Sequence, residues 1–130
     1  MNKPQQKAPI LINLTNHPSH LWDEKQMEAS KAYGKILDMP FPAIDPNADE
    51  GYIALLADEY RDKILALSKE YITTVHLMGE LTFTFALLKR LQKKGIACIA
   101  STSMRIVKNE HEGIKDGVVF KFERYRNYEQ

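Results

Sequence analysis

The stretch Val75-His76-Leu77-Met78-Gly79-Glu80-Leu81-Thr82-Phe83-Thr84-Phe85-Ala86-Leu87-Leu88, followed by Gly95-Ile96-Ala97-Cys98-Ile99-Ala100-Ser101-Thr102-Ser103, decides the fold. It reads as a buried strand, a glycine turn, a helix, a second glycine turn and a second buried strand. That is one βαβ unit, and such units carry ligand sites at the carboxyl ends of their strands. Both strand ends are polar: Gly79-Glu80-Leu81-Thr82 after the first, Ser101-Thr102-Ser103-Met104-Arg105 after the second. The N-terminus of the helix between them is expected to point unpaired N–H groups at an anion.

Working outward, Pro9-Ile10-Leu11-Ile12-Asn13-Leu14 is a short continuous apolar run, the pattern of a strand covered on both faces. It ends in the turn-rich loop Thr15-Asn16-His17-Pro18-Ser19-His20. Leu21 to Ala32 reads as a helix with Leu21, Met27 and Trp22 inward and Gly34 as its C-terminal stop. Lys35 to Met39 is a second strand, halted by Pro40-Phe41-Pro42. A long helix runs from about Asp49 to Tyr71, with Ile53, Leu56, Ala57, Tyr60, Ile64 and Leu67 on one apolar face. The helix of the βαβ unit, Leu81 to Lys94, carries Leu81, Phe85, Leu88 and Leu91 on one stripe.

The tail departs from this rhythm. Arg105-Ile106-Val107-Lys108 and the run Gly117 to Tyr125 flank a polar turn containing His111, Glu112-Gly113 and Asp116. They read as two further strands forming an antiparallel hairpin. The order β-α-β-α-β-α-β-β-β predicts a three-layer, Rossmann-like α/β fold: a parallel sheet with a C-terminal antiparallel hairpin. The parallel part is expected in the order 2-1-3-4, with a crevice between strands 1 and 3. Residues 1–8 read as a disordered polar segment and 9–130 as a single domain.

The chain has 130 residues, 44% hydrophobic and 27% charged, with a net charge of +1. This suits one core and gives no general affinity for polyanions, so no long nucleic acid is expected. Cys98 is the only cysteine and lies in an apolar run, as a buried small hydrophobe in a reducing compartment. No secretory signal or membrane-length apolar run is visible, so a cytoplasmic protein is expected.

His17 is the leading candidate for proton transfer, because a histidine held by a proline on a strand-end loop can serve as proton donor or acceptor near neutral pH. The alternative is a solvated loop histidine. His17 and His20 alone make a weak metal pattern without a third ligand, so no metal and no cofactor is expected. His76 reads as a core histidine. Gly79 serves either a tight turn or the approach of a ligand. Glu80 is a base, a ribose-hydroxyl partner or neither. Ser101, Thr102 and Ser103 suit a phosphate or merely end a strand, and Arg105 would neutralise phosphate charge or lie on the surface. Gly-x-Gly-x-x-Gly, phosphate-loop and Gly-x-Ser-x-Gly motifs are all missing. Lys121, Arg124 and Arg126 beside Phe122, Tyr125 and Tyr128 could stack on nucleotides, form a wet strand face or make a dimer contact.

The loop Asn13-Leu14-Thr15-Asn16-His17-Pro18 and the pattern Gly79-Glu80-x-Thr82-Phe83-Thr84-x-Ala86-Leu87 through Gly95-Ile96 to Ala100-Ser101-Thr102-Ser103 resemble a known group. They resemble the small CRISPR-associated Rossmann-fold (CARF-like) proteins of type III systems, including stand-alone ring nucleases, over about residues 9 to 105. The resemblance implies a homodimer that binds cyclic oligoadenylate above the strand ends. Some members cleave that ring without metal, by attack of a ribose 2′-hydroxyl on the adjacent phosphate. Carried over by position, Asn13, Thr15, Asn16, Gly79, Glu80, Thr82, Ser101, Thr102 and Ser103 would bind ligand. His17 would move a proton and Arg105 would stabilise the phosphate. With no effector region in the sequence, degradation, sequestration or simple binding of the ring is expected. The rival readings are a non-catalytic sponge, an unrelated nucleotide-binding enzyme that depends more on Glu80, and a protein-interaction domain built on the hairpin.

Overall fold

The computed structural model describes residues 6–108 and 117–130. The expectations for residues 1–5, and for the turn with His111, Glu112, Gly113 and Asp116, lie outside the described residues. The strands are β1 (Ala8–Leu14), β2 (Lys35–Asp38), β3 (Tyr71–Leu77), β4 (Ala97–Lys108) and β5 (Gly117–Asn127). The α-helices are α1 (Glu24–Ser30), α2 (Glu50–Ser68) and α3 (Leu81–Lys93). The sheet order is β2-β1-β3-β4-β5. The first four strands run parallel and β5 is antiparallel to β4. The parallel order 2-1-3-4 is the expected one, and the order reverses between β1 and β3.

Alternation along the strands divides the core into two layers. Ile10, Ile12, Leu14, Val75, Leu77 and Cys98 face α2 and α3. Leu11, Ile99, Phe122 and Tyr125 face the other way, toward Trp22 and Ala29. Both sheet faces are covered, which is why the strand sequences read as continuous apolar runs. Cys98 is buried as expected, and burial pushes its thiol pKa up to about 12.

Several local expectations are corrected. In place of one helix over Leu21 to Ala32 there is a 3-10 turn at Ser19–Leu21, an extended Trp22-Asp23 step, α1, and a second 3-10 turn at Lys31–Tyr33. Trp22 breaks the helix. Its backbone is extended and its indole Nε1 donates to the His17 carbonyl at 3.0 Å. Asp23 then caps α1 by accepting from the Gln26 N–H at 2.8 Å. Trp22 is inward, whereas Leu21 and Met27 are exposed and Gln26 and Ser30 are buried. Gly34 does close this segment, at φ 103°, where a Cβ would strike the Pro9 carbonyl.

The second correction concerns α2, which stops at Ser68 rather than Tyr71 because Tyr71-Ile72-Thr73-Thr74-Val75 is taken into β3. On α3 the inward residues are Phe83, Thr84, Leu87 and Leu91, while Leu81 and Phe85 are 81% and 62% exposed. Phe83 sets this rotation, held edge-on between the rings of Phe41 and Tyr60 at 5.3 and 5.4 Å.

The largest correction is to the tail. Ser101 to Arg105 does not end a strand but forms the middle of β4, which runs unbroken to Lys108, so the described residues form five strands and not six. Beyond Ile99 the strand pairs only with β5 and forms a two-stranded ribbon. The register shifts between Thr102 and Ser103 and leaves Glu123 without a cross-strand partner. That extra residue puts Phe122, opposite Ser103, and Tyr125, opposite Ser101, on one face.

Candidate functional site

Beside the reversal point, at the carboxyl ends of β1 and β3, lies a cavity of about 590 Å³. That is the size of a small-molecule site. Its walls are the loop Thr15, Asn16 and His17, the β3 end at Met78 and Gly79, and the ribbon face with Ser101, Ser103, Phe120 and Phe122. Leu21, Asp23 and Gln26 close the α1 side, and His76 completes the lining.

Asn13 builds the loop without lining the cavity. Its buried amide donates to Asp38 Oδ1 and to the His17 carbonyl, both at 2.9 Å. Thr15 Oγ1 lies 2.9 Å from Asn13 Oδ1 and accepts from the His17 N–H at 3.1 Å. Asp38 also takes the Ser19 N–H at 3.1 Å and the Ser19 hydroxyl at 2.6 Å. Burial raises the Asp38 pKa, but the hydrogen bonds from Ser19 and Asn13 outweigh it and hold the carboxyl below its ordinary value. The backbone of His17 is therefore fixed from several sides while the residue lines the cavity.

His76 is 2% exposed, and its Nε2 stands 3.1 Å from Ser101 Oγ. Trp22 and Tyr125 present ring edges to it, at 5.8 and 5.1 Å between centroids. Burial first, and the nearby His17 second, push its pKa down to about 4, so it is neutral at pH 7. Its Nδ1 is buried with no partner among the described residues. Ser101 also directs its backbone N–H and its hydroxyl at Met78 Sδ, each at 3.3 Å.

A sequence profile for the uncharacterized protein MJ1673 family matches residues 9–126. The chain belongs to this family. No curated protein matches its sequence.

In this family member, then, the strand ends bring together Thr15, Asn16, His17, Gly79, Ser101 and Ser103 from the expected set. The others fall elsewhere. Glu80 caps α3: its carboxylate accepts from the Phe83 N–H at 2.7 Å and from the Thr82 hydroxyl at 2.6 and 2.7 Å. These bonds hold its pKa below the usual value. The anion seat expected at this helix end is filled by the protein's own carboxylate, which corrects the expectation of free N–H groups there. Thr82 borders a second, smaller hollow between the starts of α2 and α3.

Thr102 sits on the opposite ribbon face, with its hydroxyl 3.2 Å from both the N and the O of Arg124. Arg105 is exposed and pairs across the ribbon with Phe120, so alternation puts it on the cavity side, beyond Ser103. Gly79 has a packing reason as well: a Cβ there would collide with the Phe41 ring. His76, Gln26, Asp23 and Phe120 are not site residues in the sequence reading, whereas Phe122, one of the aromatics read as able to stack on nucleotides, does line the cavity. The available signal was His76 itself, one residue from the end of an apolar strand and in register with Asn13. No group of three His, Cys, Asp or Glu side chains suited to a metal occurs among the described residues. No helix among them is long and apolar enough to cross a membrane.

Proposed function

We propose that this protein binds a cyclic oligoadenylate at the strand-end cavity, as a homodimer in the cytoplasm, and opens the ring without a metal. The observation that carries the reading is the lining itself. The imidazole of His17, the His76–Ser101 pair and the aromatic side chains of Phe120 and Phe122 share one small-molecule-sized space at the point where strand order reverses. Phenylalanine rings suit a base, and the hydroxyls of Ser101 and Ser103 suit a sugar or phosphate. Each protomer would hold part of the ring.

The chemistry is positional. The ribose 2′-hydroxyl attacks its neighbouring phosphorus, forming the P–O2′ bond of a 2′,3′-cyclic phosphate and breaking the P–O5′ bond. His17 takes the 2′-hydroxyl proton, and the departing 5′-oxygen is protonated from solvent. Arg105 faces the charge that develops on the phosphate. Helix α3 has no part in this, because Glu80 closes its N-terminus.

The test is incubation with cyclic tri-, tetra- and hexa-adenylate in EDTA, read by chromatography and mass. Linear products ending in 2′,3′-cyclic phosphate support the reading, and cleavage should fall at least tenfold in His17→Ala. Intact, retained ring would leave a sponge. A second reading is favoured by one observation: none of the lining residues is lysine or arginine, and Asp23 adds a carboxylate. That composition suits a nucleoside, which carries no phosphate charge, and preference for a nucleoside over every ring would replace the first reading.

A further inference from the structure

Behind the cavity a chain of hydrogen bonds has a determinable direction. Ser30 Oγ donates to the Gln26 backbone carbonyl at 2.7 Å. A hydroxyl has one proton. At the 2.8 Å contact between Ser30 Oγ and Tyr125 Oη, the tyrosine must therefore be the donor. With that proton committed, Tyr125 Oη can only accept from the Gln26 side chain, which stands 3.2 Å away. So the amide nitrogen of Gln26 faces Tyr125 and its oxygen, Oε1, faces away. The orientation of this amide follows from proton counting. Gln26 is 5% exposed and lines the cavity, and among the described residues no donor reaches Oε1.

We propose that Gln26 Oε1 is the acceptor that reads an exocyclic amino group of a base in the cavity, and that Tyr125 is the positioning residue that keeps it an acceptor. The inference rests on the nucleotide reading of the cavity and adds to it the class of base: one that carries an exocyclic amine, as adenine, cytosine and guanine do, and not hypoxanthine or uracil. A carbonyl in place of the amine would set two acceptors face to face with no proton between them. The surroundings agree. Asp23, whose carboxylate takes the Gln26 N–H at 2.8 Å, contributes a second acceptor on the same wall. Phe120 and Phe122 line the same space and can cover a base plane.

The test uses the full chain and two probes that differ at one exocyclic group, adenosine and inosine 5′-monophosphate, with cyclic tetra-adenylate alongside. Calorimetry should give at least about tenfold preference for the adenosine nucleotide in the unaltered protein. Gln26→Leu should erase the preference. Tyr125→Phe keeps the ring but frees the amide to turn over, and should bring the two affinities toward parity while circular dichroism remains unchanged. Equal binding of the two probes by the unaltered protein, or a preference that survives Gln26→Leu, would overturn the inference and leave the nucleotide reading standing. Failure of both mononucleotides and of the ring to bind would overturn the nucleotide reading, and this inference with it.

Discussion

Nε2 of buried His76 meets the Ser101 hydroxyl at 3.1 Å, joining the end of β3 to the start of the ribbon. This contact places a neutral imidazole in the wall of the cavity, and it has a consequence for stability. The folded pKa of His76 is depressed to about 4 from 6.5. Between those values the unfolded chain binds more protons than the native one. Stability attributable to His76 is therefore full above pH 6.5, falls as pH drops toward 4 and is level below it. The loss should be of the order of 3 kcal/mol. Urea unfolding of the protein and of His76→Phe at pH 7, 5.5 and 4.5 isolates this slope. The difference between the two should shrink or reverse with acid, and a pH-independent difference would refute it.

The Asn13–Asp38 contact makes a separate prediction. Asn13→Ala removes three hydrogen bonds, to Asp38, His17 and Thr15, and at roughly 0.5–1.5 kcal/mol for each should cost about 1–3 kcal/mol. Asp38→Ala should loosen the same loop. The Asp38 carboxyl lies below its ordinary pKa, so its contribution is present above that value and is lost as pH falls through the folded pKa. Amide exchange at His17 and Ser19 should quicken in both variants, while the α2–α3 side stays protected.

Gly79→Ala tests the packing of Phe41. The added methyl meets that ring, and the cost of overpacking is about 1–3 kcal/mol. Phe41→Leu in the Gly79→Ala background should recover part of the loss, giving a coupling in a double-mutant cycle. Additive effects would mean that the glycine serves the cavity alone.

Glu80→Ala separates a cap from a catalytic base. The variant should melt lower, since the Phe83 N–H loses its acceptor, yet bind ligand as the unaltered protein does. Because the Glu80 pKa is depressed in the fold, the stability gap should close as pH falls through the folded value. Lost activity with unchanged melting would return Glu80 to the chemistry.

The parts of the fold that were legible from sequence are those where one physical effect dominates. Apolar runs bounded by Gly34, Gly79 and Gly95 marked the parallel strands, and the right-handed crossover rule limited their order. The α3 stripe was misjudged because Leu81-Thr82-Phe83-Thr84-Phe85 offers two apolar faces, and only the rings of Phe41 and Tyr60 choose Phe83. Ser101-Thr102-Ser103 reads as the end of a strand because the partner that carries it onward, β5, lies about 20 residues along the chain. In the site, the loop of His17 was visible from its turn residues. Gln26 was not, because its role depends on a hydroxyl contributed by Tyr125, 99 residues away.

The central claim is that the cavity beside His17 and His76 is the ligand site, and chemical-shift mapping with cyclic tetra-adenylate tests it most directly. Backbone amide signals of Thr15 to His17, Gln26, Met78, Gly79, Ser101 and Ser103 should move together on titration. Unmoved spectra, or shifts confined to the hollow near Asp49, Thr82 and Ala86, would contradict it.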